Sequence, residues 1–305
     1  MSPTANGTDT RPVRIYGAVG EANPALRPSA NSVTIITLPG AIQHVEDITF
    51  NPNGFTGSVA VSGGGGVNNS VLRCKFTTAT GAIIGGAGGT CDYSEFDGCT
   101  APILLNSTAC RATGNRILNC AGANVITMAG SGTVASYNLI HDCTGGGIIV
   151  TAAGRNAHVY GNTLHFTGGT GIPVSVFGAT ALIENNIVSN VDQPAFSASA
   201  AAAENATPII RNNAVYRSDG GALFAQLLMD EGGNATLTAD PFVSAAGGNF
   251  ALNNTAGGGA AARGVGWPST WPGLATTVND QDTGAVQSGG ITGPSGGLLY
   301  FAGLD

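Results

Sequence analysis

Apolar anchor residues recur along this chain at steps of 20 to 28 positions. Two positions before five consecutive anchors stands an asparagine, and a turn of small residues with a short β-type run follows most of them. This pattern predicts short strands joined by tight turns, and it shows no helical periodicity. The anchors are Phe76, Phe96, Ile117, Ile140, Leu164, Val188, Val215 and Val243, and the asparagines are Asn115, Asn138, Asn162, Asn186 and Asn213.

A repeat of this length is too short for a strand–helix–strand crossover plus a second strand, so it predicts an all-β solenoid. Stacked coils lie about 4.8 Å apart, and equivalent positions therefore form ladders along the rod. An inward asparagine ladder satisfies backbone groups at a sharp turn, because the amide both donates and accepts hydrogen bonds. We expect about nine parallel coils within residues 32–253.

Cysteine also follows the repeat. Cys99, Cys120 and Cys143 each lie three positions after an anchor, in successive coils. This cysteine ladder has two interpretations: small apolar side chains stacked at a corner of the coil, or thiols close enough for a disulfide. Three stacked cysteines can form only one such bond among themselves. The chain contains no C-x-x-C pair, which leaves zinc and redox motifs without support.

Two further ladders carry charge or imidazole. Lys75, Glu95 and Arg116 lie one position before successive anchors, which predicts a solvated ladder of salt bridges. His141 and His165 lie one position after theirs, which predicts neighbours in adjacent coils. We expect two partly exposed turn histidines, and the alternative is a metal-binding or acid–base pair, which makes both weak catalytic candidates.

Three carboxylates are the other weak candidates for catalysis: Asp92, Asp97 and Asp142. Polysaccharide hydrolysis needs two carboxylates about 5–10 Å apart. Asp97 and Asp142 have no carboxylate as ladder neighbour, and Asp92 shares its position with Glu184, four coils or roughly 19 Å away. No pair within one coil is predicted, while a site shared between trimer subunits stays open. The coils show no acidic calcium cluster beside a basic residue, so we predict no metal and no cofactor.

Composition narrows the class of protein. Hydrophobic residues make up 43% of the chain, charged residues only 10%, and mean hydropathy is +0.18, which excludes general disorder. A net charge of −7 argues against a nucleic-acid partner bound through a basic surface. No apolar run reaches about 18 residues, so we predict no membrane span. No secretory signal is visible between Met1 and Leu26.

The two ends lack the repeat. Residues 1–31 contain four prolines and three arginines, and we predict an N-terminal arm that either caps the first coil or docks on a neighbouring subunit. Residues 254–305 contain both tryptophans, each followed by proline, and the apolar run 298–304. We predict that this segment is a C-terminal cap folded back on the rod, or an apolar contact for a partner or a trimer axis.

Certain sequence segments resemble those of a known protein superfamily. Segments 183–188 and 210–215 read Ile-Glu-Asn-Asn-Ile-Val and Ile-Arg-Asn-Asn-Ala-Val, like the Asn-Asn turns of right-handed parallel β-helix proteins of the pectate-lyase-like superfamily. Segments 239–243, 248–252 and 282–287 are similar to the terminal part of many bacterial and phage β-helix proteins. The resemblance implies a right-handed, single-stranded parallel β-helix. The resemblance does not indicate a particular activity, because the superfamily includes lyases, hydrolases, tailspikes and inert scaffolds.

The favoured hypothesis is a structural bacteriophage virion protein located in the virion. It would be a capsid decoration, head fibre or tail-associated spike, with a homotrimer, other virion proteins at its termini and host-surface glycans as partners. The first alternative is a polysaccharide lyase or glycoside hydrolase of the same superfamily. The second is an extracellular bacterial surface or adhesive β-helix.

Overall fold

A computed structural model shows a parallel β-solenoid. It describes residues 13–16, 25–26, 34–38, 40, 42–51, 59–63, 67–78, 81–166, 171–199, 207–217, 219, 221–222, 224–225, 228–263 and 284–285. Both Trp-Pro pairs, the apolar run 298–304 and most of the predicted N-terminal arm lie outside the described residues.

Among the described residues, the secondary structure consists of short strands, one short α-helix, and a 3-10 helix at Ala245–Gly247 between the last two strands. In order these are β1 (Val13–Tyr16), β2 (Ala25–Leu26), β3 (Thr34–Leu38), β4 (Gln43–Glu46), β5 (Thr49–Phe50), β6 (Val59–Gly63), β7 (Ser70–Leu72), β8 (Lys75–Thr77), β9 (Ala82–Ile84), β10 (Thr90–Asp92), β11 (Glu95–Asp97), β12 (Ile103–Leu105), β13 (Arg111–Thr113), β14 (Arg116–Leu118), β15 (Asn124–Met128), β16 (Val134–Ser136), β17 (Leu139–His141), β18 (Gly146–Val150), β19 (Ala157–Tyr160), β20 (Thr163–His165), β21 (Val174–Phe177), β22 (Ala181–Glu184), β23 (Ile187–Ser189), β24 (Phe196–Ser199), β25 (Ile209–Arg211), β26 (Ala214–Tyr216), β27 (Phe224–Ala225), β28 (Met229–Asp230), β29 (Ala235–Leu237), β30 (Phe242–Ser244), β31 (Asn249–Leu252) and α1 (Gly259–Ala262).

Every third strand belongs to the same parallel sheet. Within the described residues, sheet one contains ten strands, every third from β1 to β28; sheet two contains ten, every third from β2 to β29; and sheet three contains nine, every third from β3 to β27. Each coil thus contributes one strand to each sheet, which confirms the predicted all-β parallel β-helix. Strands β30 and β31 form a separate antiparallel pair, called the C-terminal hairpin below.

The pairing register follows the sequence repeat. Phe76 pairs with Phe96, Phe96 with Ile117, and the same alignment continues through the other anchors to Val215. The last predicted anchor is wrong, because Val215 pairs with Thr236. Val243 instead lies in the C-terminal hairpin and is 55% exposed.

The predicted boundaries at residues 31 and 253 stay predictions. The described strands add that parallel pairing already includes β1 and β2, which join the second coil through β4 and β5. At the other end, parallel pairing is last seen at β29, before the C-terminal hairpin. The chain turns sharply between sheet one and sheet two. The residue just before Ser94 and before each ladder asparagine has a left-handed backbone conformation, for example Tyr93, Tyr137 and Asn185.

The interior is a column of stacked apolar side chains. The rings of Phe50, Phe76 and Phe96 stack face to face, with centroids 4.9 and 4.4 Å apart. Outward positions of the strands alternate with these inward ones, as a pleated strand requires. Chemistry is therefore confined to the outer faces of the sheets and to the turns.

Candidate functional site

The predicted asparagines form one continuous column inside the turn between sheets one and two. From Asn138 onward, each Oδ1 accepts two hydrogen bonds from the preceding ladder residue, and for Asn138 these come from the backbone N and Nδ2 of Asn115 at 3.0 and 2.9 Å. Asn115 Oδ1 accepts one from the backbone N of Ser94 at 2.9 Å. The column starts at Ser94 and ends at Asn234, whose Oδ1 accepts from Asn213. It satisfies backbone groups that the turn buries, which is a structural role.

Sequence reasoning missed Asn234 as the end of this column. The signal was present, since Asn234 lies two positions before Thr236, but the anchor at that place is polar. The apolar pattern therefore pointed to Val243 instead.

The cysteine ladder is a stack of reduced thiols. All six cysteines of the chain are buried and free, Cys99, Cys120 and Cys143 among them. The Cys143 thiol donates to the backbone oxygen of His141 at 3.4 Å, and Cys120 does the same to Leu118 at 3.3 Å. A hydrogen bond with Cys120 and burial raise the pKa of Cys143, so the thiolate that nucleophilic chemistry needs is disfavoured.

The three candidate aspartates do not converge. Asp92 lies on the outer face of sheet one, Asp97 on that of sheet two in the same coil, and Asp142 follows β17 two coils further on. Asp97 accepts from Asn119 Nδ2 at 2.8 Å. Asp142 accepts from His141 Nδ1 at 2.9 Å. The arrangement brings no two of them to one bond, as a pair of hydrolytic carboxylates requires.

Asp92 has an unusual environment. Its side chain is buried, with Oδ2 3.1 Å from the Arg111 guanidinium, while Oδ1 is buried without a hydrogen-bond partner among the described residues. Burial raises the pKa of Asp92, and the neighbouring Arg111 opposes that effect.

The histidine pair lies under the C-terminal hairpin. His141 and His165 are direct register partners in sheet two, but they are only 5% and 6% exposed, whereas partly exposed turn histidines were expected. The difference arises because Phe250 packs against both imidazoles, with ring centroids 4.9 and 5.7 Å away. His165 Nδ1 is hydrogen-bonded to Ser189 Oγ at 2.7 Å.

A polar cluster on the outer face of sheet one escaped the sequence analysis. This sheet-one cluster consists of His158, Tyr160, Glu184, Arg211 and Glu231. Glu184 accepts from His158 Nε2 at 2.8 Å through one oxygen and from Arg211 Nε at 2.7 Å through the other. Arg211 also contacts Glu231 at 3.3 Å. The ring of His158 lies 4.4 Å from that of Tyr160.

The register contained the signal for this cluster. Tyr160, Glu184 and Arg211 each stand two positions before a ladder asparagine, in three successive coils. Reading that column for opposite charges, rather than for pairs of carboxylates, would have identified Glu184 and Arg211 as neighbours.

The electrostatics of the sheet-one cluster favour a charged carboxylate beside an imidazole. Burial pushes the pKa of Glu184 upward, but hydrogen bonds from His158 and Arg211 outweigh it and leave that pKa below its ordinary value. Burial raises the pKa of Tyr160 to about 12, so its phenol stays protonated. The cluster therefore offers an ionised carboxylate, a cation, a neutral phenol and a half-buried imidazole oriented by the carboxylate.

Metal binding finds no support in the described ranges. They contain no group of three or more His, Cys, Asp and Glu side chains arranged to hold a metal ion.

In the same ranges, no helix is both long and apolar enough to cross a membrane.

Comparison with known proteins supports the architecture. A family model described as the right-handed beta helix region matches residues 57–226, more than half of the chain. A search of the curated proteins finds no match.

Proposed function

This chain belongs to the right-handed β-helix family, and we propose that it is a structural protein of a bacteriophage virion. In this proposal it forms a rod that serves as a capsid decoration, head fibre or tail-associated spike. The observation that carries the proposal is the unbroken hydrogen-bonded column from Ser94 to Asn234.

Between Ser94 and Asn234, the column joins each coil to the next through side chains inside the turn. Buried hydrogen bonds do not compete with water and polarise one another along a chain, so the column resists the opening of any single coil. Solenoid stability is a sum of coil and interface terms, and a uniform interface removes weak points along the rod. Such resistance suits a particle component that must survive outside a cell.

The outer faces add ion pairs between coils. On sheet two, the carboxylate of Glu95 lies 2.8 Å from Lys75 Nζ and 3.3 Å from the Arg116 guanidinium. On sheet one, the carboxylate of Glu184 lies 2.7 Å from Arg211 Nε in the next coil. We include homotrimer formation and attachment to other virion proteins through the terminal segments in the proposal.

The sheet-one cluster supports the further element of glycan contact. Sugars present many hydroxyl groups beside apolar ring faces, and a binding site for them combines aromatic faces with donors and acceptors. His158, Tyr160, Glu184 and Arg211 supply both kinds of group on a rigid sheet.

The test of the virion role is detection of the protein in purified phage particles. Particles banded in a density gradient are analysed by quantitative mass spectrometry and by immunogold electron microscopy with an antibody against the rod. We expect a fixed copy number per particle and labels at one place on it. Protein that remains in the lysate supernatant or the host envelope, with none on particles, contradicts the proposal.

The oligomeric state has its own measurement. Size-exclusion chromatography with light scattering on the full chain should give three times the 30.2 kDa chain mass. A monomer at all concentrations removes the trimer from the proposal without affecting the particle test.

A glycan-active enzyme is the second candidate, because one observation favours it. An imidazole held by a carboxylate, as His158 is by Glu184, is an arrangement suited to proton transfer. The test is turnover of a panel of acidic and neutral glycans, followed through reducing ends and through the ultraviolet absorbance of unsaturated products. If it is an enzyme of this kind, His158→Gln abolishes turnover while His44→Gln, on the same sheet, does not. Lack of turnover by the natural sequence on every glycan rejects this candidate.

A further inference from the structure

The C-terminal hairpin covers part of the outer face of sheet two. Its residues Phe242, Phe250 and Leu252 join a buried apolar cluster with outward residues of the sheet, which are Leu139, Ile187, Ala214 and Leu237. This cluster is distinct from the main core inside the coils. The hairpin is thus held by contacts on the outer face of the sheet, separate from the core inside the coils.

Two imidazoles lie in the middle of this contact. His141 and His165 occupy adjacent coils at the same register position, and both face the aromatic side chains of the hairpin. His141 Nε2 is buried and has no hydrogen-bond partner among the described residues. A proton on that nitrogen would be a buried donor without an acceptor, which is costly.

Charged groups around His141 come from its own sheet and the following turn. Asp142 accepts a hydrogen bond from its Nδ1, and Asp97 acts as a more distant negative charge. Arg116, in the preceding coil, and His165, in the next, oppose a positive charge there. Burial is the largest influence and lowers the pKa of His141 despite Asp142.

The surroundings of His165 have the same balance. Asp240, just before the hairpin, and Asp142 favour its protonation, whereas burial and the neighbouring His141 disfavour it, and burial is the largest influence. Ser189 on the next strand is neutral. By sequence, residues 242–252 of the hairpin carry no titratable side chain, so nothing on the hairpin itself could compensate a second positive charge.

We propose that the C-terminal hairpin is a pH-operated latch, which protonation of His141 and His165 releases from sheet two. Two imidazolium groups in adjacent coils lie only about 4.8 Å apart along the rod, and they would both face an apolar surface. Lifting the hairpin gives both rings access to water and leaves the coils intact. The latch is independent of the proposed virion role.

The lowered pKa values of the two histidines determine in which direction docking of the hairpin changes with pH. The docked state binds protons on the two imidazoles less readily than the released state, whose histidines return toward their ordinary pKa of 6.5. Docking is therefore strongest above that pH and weakens as the pH falls below it.

Hydrogen–deuterium exchange of the full chain tests the latch. Exchange of amides in residues 242–252 is measured at about pH 7.5 and about pH 5 and corrected for the intrinsic rate at each pH. We expect the corrected rate in the hairpin to rise by about tenfold or more at the lower pH. Amides of β19, β21, β22 and β24, which belong to sheets one and three, serve as the internal reference and should keep their protection. Equal acceleration in those strands would mean general acid unfolding and would overturn the proposal.

The histidine variants identify the groups responsible. His141→Gln combined with His165→Gln should remove the pH dependence, since glutamine does not titrate. The matched control is His44→Gln combined with His158→Gln, which removes the chain's other two histidines, both on sheet one and away from the hairpin. The same pH dependence in both double variants contradicts the latch.

A measurement on the natural sequence covers the case in which a variant does not fold. The four histidines are labelled selectively and their imidazole signals are followed by NMR against pH. We expect His141 and His165 to titrate below pH 6.5 and their signals to change together with those of the hairpin. Titration at or above that value, with the hairpin still docked, rejects the proposal.

Discussion

The outer face of sheet two has two halves that share one backbone geometry and differ in what covers them. The open half consists of β8, β11 and β14, whose outward residues include Lys75, Glu95 and Arg116. The covered half consists of β17, β20, β23, β26 and β29, and lies under the C-terminal hairpin. The same strand positions are charged in one half and mainly apolar in the other.

The change occurs within a single step of the ladder. Arg116 pairs with Leu139 in the next coil, and Leu118 pairs with His141. Beyond that step the outward residues Thr163 and Ile187 are fully buried, and Gly284 and Ala285 also rest on them. A β-helix face is therefore not uniform along the rod: its outward residues decide whether water or another chain segment covers each coil.

The largest expected effect comes from placing a charge on each half. Leu139→Lys buries an ammonium group under the hairpin and should lower the free energy of unfolding by about 4 kcal/mol, or release the hairpin. Leu118→Lys, one coil earlier in the open half, should change it by less than about 0.5 kcal/mol. Denaturant unfolding together with hydrogen exchange of the hairpin distinguishes the two. Similar costs for both variants would show that the halves do not differ as described.

Removal of the main aromatic contact should have the next largest effect. Phe250→Ala leaves a cavity between the hairpin and the two histidines and should cost about 3 kcal/mol, since a buried phenylalanine side chain is lost. Phe177→Ala is the matched control, because Phe177 is 42% exposed on sheet three. We expect thermal unfolding to shift for the first variant only, and a normal melting curve for Phe250→Ala would contradict the docking of the hairpin.

The asparagine column lies inside the rod behind both halves, so its contribution to stability should be the same whether or not the hairpin covers the outer face. Asn115→Leu, behind the open half, and Asn186→Leu, behind the covered half, each leave buried backbone groups unpaired. Each should cost roughly 1–3 kcal/mol in chemical denaturation. If both variants are as stable as the natural sequence, the column does not stabilise the turn. A large difference between their stabilities would show that docking of the hairpin affects the interior of the rod.

The smallest effect concerns the ion pairs of the open half. Glu95→Gln removes a buried carboxylate between Lys75 and Arg116 and should cost about 1–2 kcal/mol, less at high salt. The control Glu46→Gln removes a longer contact to the half-exposed Arg73 and should cost less than about 0.5 kcal/mol. Denaturant midpoints measured at low and high salt compare the two, and equal costs would mean that burial of Glu95 contributes nothing.

Much of the rod could be predicted from the repeat. The register of the anchors, the asparagine column, the charge ladder and the adjacency of His141 and His165 all agree with the structure. In an in-register parallel solenoid, positions one repeat apart become neighbours, so spacing in sequence translates directly into contact. The solvated character expected for the charge ladder holds for the partly exposed Lys75 and Arg116 but not for Glu95, which is buried between them.

The sheet-one cluster could be predicted only in part. Its column was readable from the register, yet its chemistry involves a mixed set of an imidazole, a phenol, a carboxylate and a guanidinium. A search for paired carboxylates or for metal ligands passes over such a set, although Glu184 and Arg211 stand at equivalent positions.

The sequence by itself determined the stacked coils, their register and the residues of the inner column, because these follow from contacts that repeat at a fixed interval. Only the tertiary structure decided that the C-terminal hairpin lies across sheet two, that Val243 is not an anchor, and that two histidines are buried beneath Phe250. The physical reason is that this docking joins residues as far apart in the sequence as His141 and Phe250 through side chains on the outer face of the rod. No interval in the sequence encodes that contact.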